Sequence, residues 1–254
     1  MSPRRPVRAW IGKPHLDPAE LAGPSGLTEE VLRGDEEPAE EDLGGDDAFW
    51  ESLLTPERLA RIDAVISARL RSVTVVLDRL LDAHNVAAVL RTAEGMGLAR
   101  VHVVSHDASD EAAHRRVTQD AHKWLEVEKH PSGAQAAREL IGLGFAVFAG
   151  HLDPAARSSL DIPVDRPVAL LFGNEHEGPS AETLAACTGT FRIPMAGFTQ
   201  SFNVSVAAGI ALSQICAGRR AFLQVPGDLA PEDRHALRSR FLRLAAKLAR
   251  RVKR

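Results

Sequence analysis

The sequence predicts an α/β protein: a parallel sheet flanked by helices. Three observations carry that reading. Short β-branched or aromatic runs recur along the chain, VTVVL at 73–77, VHVV at 101–104, FAVFA at 145–149, VALLF at 168–172 and TFRI at 190–193. Helical patterns fall between them, near 86–96, 133–142 and 180–186, and another follows the last strand at 204–217. Strands alternating with helices at this spacing argue for βαβ units and a parallel sheet covered on both faces, and VALLF is wholly apolar.

The elements follow in chain order. Leu16 to Asp47 mixes proline, glycine and acidic residues with little periodicity, so residues 1–50 are expected to form an acidic, flexible extension that buries too little apolar surface to order itself. TPERLARIDAVISARL then opens a helix: Thr55 stands at the cap, Pro56 at a position where a helix tolerates it, and Leu59, Ile62, Val65, Ile66 and Leu70 form its apolar face. The glycine pairs in EGMGLAR (94–100) and GLGF (142–145) do not give GxGxxG directly after a strand. They read as helix C-caps, and a nucleotide-dependent dehydrogenase lacks its fingerprint here. In HKWLEVEKH (122–130) the histidines stand eight apart on a strand pattern, which predicts no metal site. The last segment begins with Pro231 and two acids and ends in cations, as a helix macrodipole favours.

The chain has 254 residues, 44% hydrophobic and 26% charged, an ordinary globular composition. Its two cysteines, Cys187 and Cys216, fit no ligand spacing and suggest no disulfide scaffold, which points to a reducing cytoplasm. No apolar run reaches transmembrane length, and Met1 to Lys13 is not followed by an apolar stretch. The net charge of −3 conceals an asymmetry: residues 1–50 hold five Lys/Arg against twelve Asp/Glu, and residues 219–254 hold eleven against three. A basic tail on an acidic protein is the footprint of a polyanionic partner, unless it is simply the solvated face of a docked helix.

Three segments at strand ends hold the candidate chemistry: DAHNVAAVLRTAEGMG (82–97), LLFGNEHEGPS (170–180) and IPMAGFTQSFNVSVAAGIAL (193–212). Taken singly, Asn85 reads as an N-cap, Glu175 as a loop charge, and Ser201 with Asn203 as a capping pair for the last helix. Taken together and in order, HNVAAVLRTAEGMG, LLFGNEHEG and IPMAGFTQSFNVSVAAGIAL resemble the three motifs of the SpoU/TrmH family of RNA ribose 2′-O-methyltransferases, in the SPOUT superfamily. The resemblance extends over residues 55–220 and includes TPERLARI and HKW.

That resemblance implies more than the residue pattern does. It implies a methyltransferase domain over 51–220 with a deep C-terminal trefoil knot, a topology that ordinary connection rules would not predict. It implies S-adenosylmethionine as methyl donor, held at Gly150, Gly173, Ile193 and Phe202, the last standing where relatives commonly have leucine. Arg91 matches the catalytic arginine, and Asn85, Glu175, Ser201 and Asn203 would shape the site with it. Because guanidinium stays protonated, Arg91 is expected to clamp the target phosphate and orient the ribose hydroxyl rather than to act as base. The expected substrate is the guanosine at position 18 of tRNA, with a homodimer formed through the small-residue helix of the third motif and the start of the first. Residues 221–254 would form a basic helix for RNA binding. The alternatives are another tRNA or rRNA ribose, or a non-catalytic knotted RNA-binding protein.

Overall fold

The computed structural model describes residues 45–104 and 121–252. The acidic extension expected over residues 1–50 therefore lies outside the described residues as far as residue 44. Its boundary moves, because a short helix, α1 (Asp47–Glu51), is already formed there and Trp50 is buried at 2% exposure. Asp46 caps it by accepting from the Phe49 N–H. One turn has no periodicity to betray it in sequence. Its burial comes from a distant partner, the C-terminal helix.

Helix α2 (Pro56–Ser67) starts where the sequence places it, with Thr55 Oγ1 accepting from the Arg58 N–H and Pro56 in the first turn. Strand β1 (Val73–Asp78) follows, then α3 (Ala83–Gly95) and β2 (Arg100–Val104). After a 3-10 turn at Ala121–Trp124 come β3 (Glu126–Lys129), α4 (Gly133–Gly142), β4 (Ala146–Gly150) and the two-residue β5 (Arg157–Ser158). The order closes with β6 (Val168–Phe172), α5 (Ala181–Ala186), β7 (Gly189–Arg192), α6 (Val204–Leu223) and α7 (Pro231–Val252). The seven strands form one sheet in the order β3-β2-β1-β6-β4-β7-β5, with every pairing parallel.

Both faces of that sheet are covered, as the apolar runs require. Val75, Leu77, Phe148, Leu170 and Phe172 pack on one side against α3 and against Ala208, Ala211, Leu212 and Ile215 of α6. Val76, Val147, Ala149, Ala169 and Leu171 pack on the other side against Ala136, Ala137 and Leu140 of α4. The glycines after α3 and α4 are helix ends. Gly97 has φ of 81°, its N–H reaches Glu94 O, and the Leu98 N–H reaches Ala93 O, a Schellman ending that Gly144 and Phe145 repeat after α4.

The basic tail is docked. A third cluster joins Trp50, Ile62 and Ile66 to Leu237, Phe241, Leu242, Ala245 and Ala246 of α7, with Trp124 edge-on to Phe241. Several tail arginines serve as anchors. Arg219 donates to Ser72 Oγ and Val164 O, and Arg220 to Ala68 O, Met96 O and Pro226 O. Arg238 pairs with Asp63 and Glu51, and Arg240 donates to Lys123 O and Leu125 O. Charge counting alone cannot separate such anchors from cations that face a partner. Arg243 and Lys247, both exposed, lie on the outer face of α7.

Candidate functional site

The candidate site forms where the chain leaves the carboxyl ends of β4, β6 and β7, the end at which parallel sheets seat their ligands. A cavity of about 600 Å3 opens there. Gly150 and His151 wall it after β4, residues 173–179 after β6, Ile193 and Met195 after β7, and residues 201–204 at the start of α6. The sequence-derived positions Gly150, Gly173, Ile193, Phe202, Glu175, Ser201 and Asn203 all lie on this one wall.

The loop after β6 folds back on its strand. Asn174 organises it: its Oδ1 accepts from the N–H groups of His176 at 2.9 Å and Glu177 at 3.2 Å, and its Nδ2 reaches Arg79 O at 3.3 Å. The close return explains Gly173, since a Cβ there would lie 2.2 Å from Pro179 N and 2.4 Å from Gly178 C. That glycine is required by its own chain, not by ligand approach alone. Gly150 differs, because a Cβ there would meet Phe172 and Leu171 at 3.5–3.6 Å, an ordinary contact.

Glu175 links this loop to α3. Its carboxylate accepts from the Leu81 N–H at 2.9 Å, the Asp82 N–H at 3.4 Å and Asn85 Nδ2 at 2.9 Å. Asn85 Oδ1 in turn accepts from Asn203 Nδ2 at 3.0 Å. Asn203 also caps α6, its Oδ1 accepting from the Ser205 N–H at 2.8 Å. It is thus both the helix cap that its sequence position suggests and one end of a relay across three elements. Asn85 is not the cap of α3; Asp82 is, accepting from the His84 N–H, and Asn85 sits buried in the first turn.

Burial of Glu175 acts to raise its pKa, but the hydrogen bonds from Leu81, Asn85 and Asp82 outweigh it and hold the carboxyl below its ordinary 4.5. The group is anionic at neutral pH, its oxygens are engaged by donors, and it is a poor proton acceptor. It positions Asn85. The stabilisation it supplies is complete above the ordinary value and is lost as pH falls through the lowered one. Glu175→Gln is therefore expected to be less stable than the wild type at pH 7 and to lose less of its stability on acidification below pH 4.5. Denaturant titrations at the two pH values check this.

Arg91 stands apart from this cavity. It lies on the exposed stripe of α3 formed by His84, Ala88, Arg91 and Gly95, and it is not part of the cavity wall. Sequence reasoning missed Asn174 and His151. An asparagine after a strand-ending glycine is the mark of a side-chain-closed turn, a usable signal for the first. Nothing in the sequence singles out His151, whose Nδ1 is buried at the cavity without a hydrogen-bond partner among the described residues. Cys187 and Cys216 are no nucleophiles. Burial, aided at Cys187 by the charge of Asp78, pushes both thiols up to about 11.

A parallel α/β sheet with a glycine-edged cavity at its strand ends, rimmed by a carboxylate–amide relay, defines an α/β domain with a cleft at the end where such sheets seat ligands. The chain belongs to the SpoU rRNA Methylase family, whose model matches residues 72–213 and so spans all three motif segments. It is 37% identical over 158 residues to a tRNA (guanosine(18)-2′-O)-methyltransferase of Thermus thermophilus, covering 62% of this chain and 81% of the relative. It is 33% identical over 159 residues to the enzyme of the same name from Escherichia coli K12, covering 63% and 69%. Among solved structures it is similar to the TrmH/SpoU tRNA modifying enzyme of A. aeolicus, with TM-score 0.66 and 27% identity over 74% of this chain and 96% of that one. An AdoMet-bound rRNA methyltransferase of Sinorhizobium meliloti matches with TM-score 0.51 and 28% identity over 57% of this chain and 56% of that one.

Proposed function

We propose that this chain methylates the 2′-hydroxyl of the guanosine at position 18 of tRNA, with S-adenosylmethionine as donor. The observation that carries the reading is the conjunction of the family match across all three motifs with the cavity that the second and third wall, to which Asn85 of the first is tied through Glu175 and Asn203. The cavity volume suits a cofactor of that size. Backbone at Gly150 and Gly173 lies on the cavity wall and would offer polar contacts without bulk. Ile193 and Phe202 would close over the ligand, and Ser201 lies on the same wall. When bound, the cofactor supplies a sulfonium-activated methyl group.

The chain's own residues do the positioning. The Glu175–Asn85–Asn203 relay fixes the loop after β6 against the starts of α3 and α6, holding the cavity mouth in one shape. Arg91 would clamp the target phosphate and turn the ribose hydroxyl toward the methyl group. Since Arg91 lies off the cavity wall of its own chain, we place it at a homodimer interface formed by the exposed stripe of α3 and the exposed Val206 side of α6. There it would complete the partner's cavity. The loop at 194–202 would be the threaded segment of a trefoil knot. The setting would be cytoplasmic; among the described residues no helix is long and apolar enough to cross a membrane.

Arg243 and Lys247 are exposed cations on α7 suited to meet RNA phosphates, Arg243 Nε also donating to Ser239 O within the helix. Truncating α7 would uncover Trp50, Ile62 and Ile66, so the sharper test replaces Arg243 and Lys247 with alanine. The double variant is expected to bind tRNA severalfold more weakly, with a log–log salt dependence flatter by about 0.7–0.9 for each phosphate no longer neutralised. Filter binding across salt concentrations measures both, and unchanged affinity and slope would remove α7 from the RNA surface. For the function itself, labelled methyl transfer to bulk RNA followed by mapping of the modified ribose is the test. Label confined to rRNA would replace the substrate, and no label in any RNA would favour the non-catalytic reading.

A further inference from the structure

At the far edge of the sheet from the cavity, β2 and β3 carry a polar ladder on the face that α4 covers. His102, in the middle of β2, is 2% exposed, and His130, just beyond β3, is 8% exposed. The parallel register sets His102 opposite Glu128 and puts His130 two residues further along the same face. His102 Nδ1 lies 2.8 Å from His130 Nε2 and 3.7 Å from Glu128 Oε2, and the three groups offer ligand atoms within 4.8 Å of one another. His130 Nδ1 lies 3.1 Å from Glu139 Oε2 on α4.

These separations bracket the edges of a tetrahedron around a zinc ion, roughly 3.4 Å for ligand bonds of about 2.0–2.1 Å. The Glu139 contact adds the outer carboxylate that orients a metal-bound imidazole. We propose that His102 Nδ1, His130 Nε2 and Glu128 form a structural site for a divalent transition-metal ion, zinc being the ion that suits two imidazoles and a carboxylate, with water as fourth ligand. The site would clamp the edge strand β3 to β2 and, through Glu139, to α4.

The proton arrangement is compatible. With His130 Nδ1–H donating to Glu139, Nε2 keeps its lone pair; without metal it accepts from His102 Nδ1–H. Metal binding then requires only that the His102 proton move from Nδ1 to Nε2, with no net release. The competitor is Arg100, whose guanidinium holds Glu126 at 3.0 Å and Glu128 Oε2 at 2.8 Å. A carboxylate has lone pairs for both partners. The histidine spacing within 122–130 does not show this site, because His130 finds its partner 28 residues earlier on the neighbouring strand.

The test strips the full-length chain with chelator and titrates it with zinc, reading stoichiometry by elemental analysis after gel filtration and affinity by calorimetry. We expect one equivalent per chain and a raised thermal midpoint. His102→Gln and His130→Gln should each weaken binding at least a hundredfold. Glu139→Gln, on a half-exposed side chain, should weaken it about tenfold or more. If a histidine variant fails to fold, Glu139→Gln and Glu128→Gln decide. A wild-type chain that retains no stoichiometric zinc, or variants that bind it as tightly as the wild type, would overturn the proposal.

Discussion

Arg91→Ala is expected to lower kcat/KM for methyl transfer to tRNA more than tenfold while leaving S-adenosylmethionine affinity unchanged. The two quantities separate because Arg91 lies on the exposed stripe of α3 and the cavity proposed to hold the cofactor is walled by other residues. A charge-assisted contact of the kind proposed is worth roughly 1.5–3 kcal/mol, or about one to two orders of magnitude in rate. Lysine keeps the charge but loses the planar fork, so Arg91→Lys should recover only part of the loss. Single-turnover kinetics and equilibrium dialysis with labelled cofactor supply the measurements. More than a tenth of wild-type turnover in the alanine variant would end the clamp role.

Gly173→Ala should act in the opposite way, weakening cofactor binding by at least a hundredfold. The added methyl would sit within 2.2–2.7 Å of main-chain atoms of Gly178 and Pro179, and backbone cannot swing aside as a side-chain tip can. The loop must move, taking Asn174 and Glu175 with it and breaking the relay to Asn85 and Asn203. Overpacking of this kind typically costs about 1–3 kcal/mol in stability as well. Gly150→Ala is the control: its methyl would make only ordinary contacts with Phe172 and Leu171, so the fold should hold and only ligand affinity should fall. Calorimetric titration with S-adenosylmethionine and thermal unfolding of both variants check the contrast. Full cofactor affinity in Gly173→Ala would contradict it.

What could be read in advance followed local physics. VTVVL and VALLF announce buried parallel strands because they have no polar face, and Thr55-Pro56 and Pro231 mark helix starts whose signals lie within one turn. The grouping of Asn85, Glu175 and Asn203 came from motif resemblance, and the structure shows the hydrogen bonds that join them. Other features depend on pairing across long sequence separations. The order of the seven strands, the two-residue β5 and the burial of Trp50 by α7 leave no local trace. The anchoring of Arg219, Arg220, Arg238 and Arg240 likewise leaves no local trace, since an arginine held by a distant element and one facing solvent are identical in sequence. His102 and His130 meet only through strand register.

The central claim is that the acceptor atom is one ribose oxygen. The direct measurement compares two tRNA transcripts that differ only at position 18, one with guanosine and one with 2′-deoxyguanosine, each incubated with the protein and labelled S-adenosylmethionine. The proposed function predicts one methyl group per guanosine transcript and none on the deoxy transcript, with both RNAs bound equally well. Equal labelling of the two, or none on either, would contradict it.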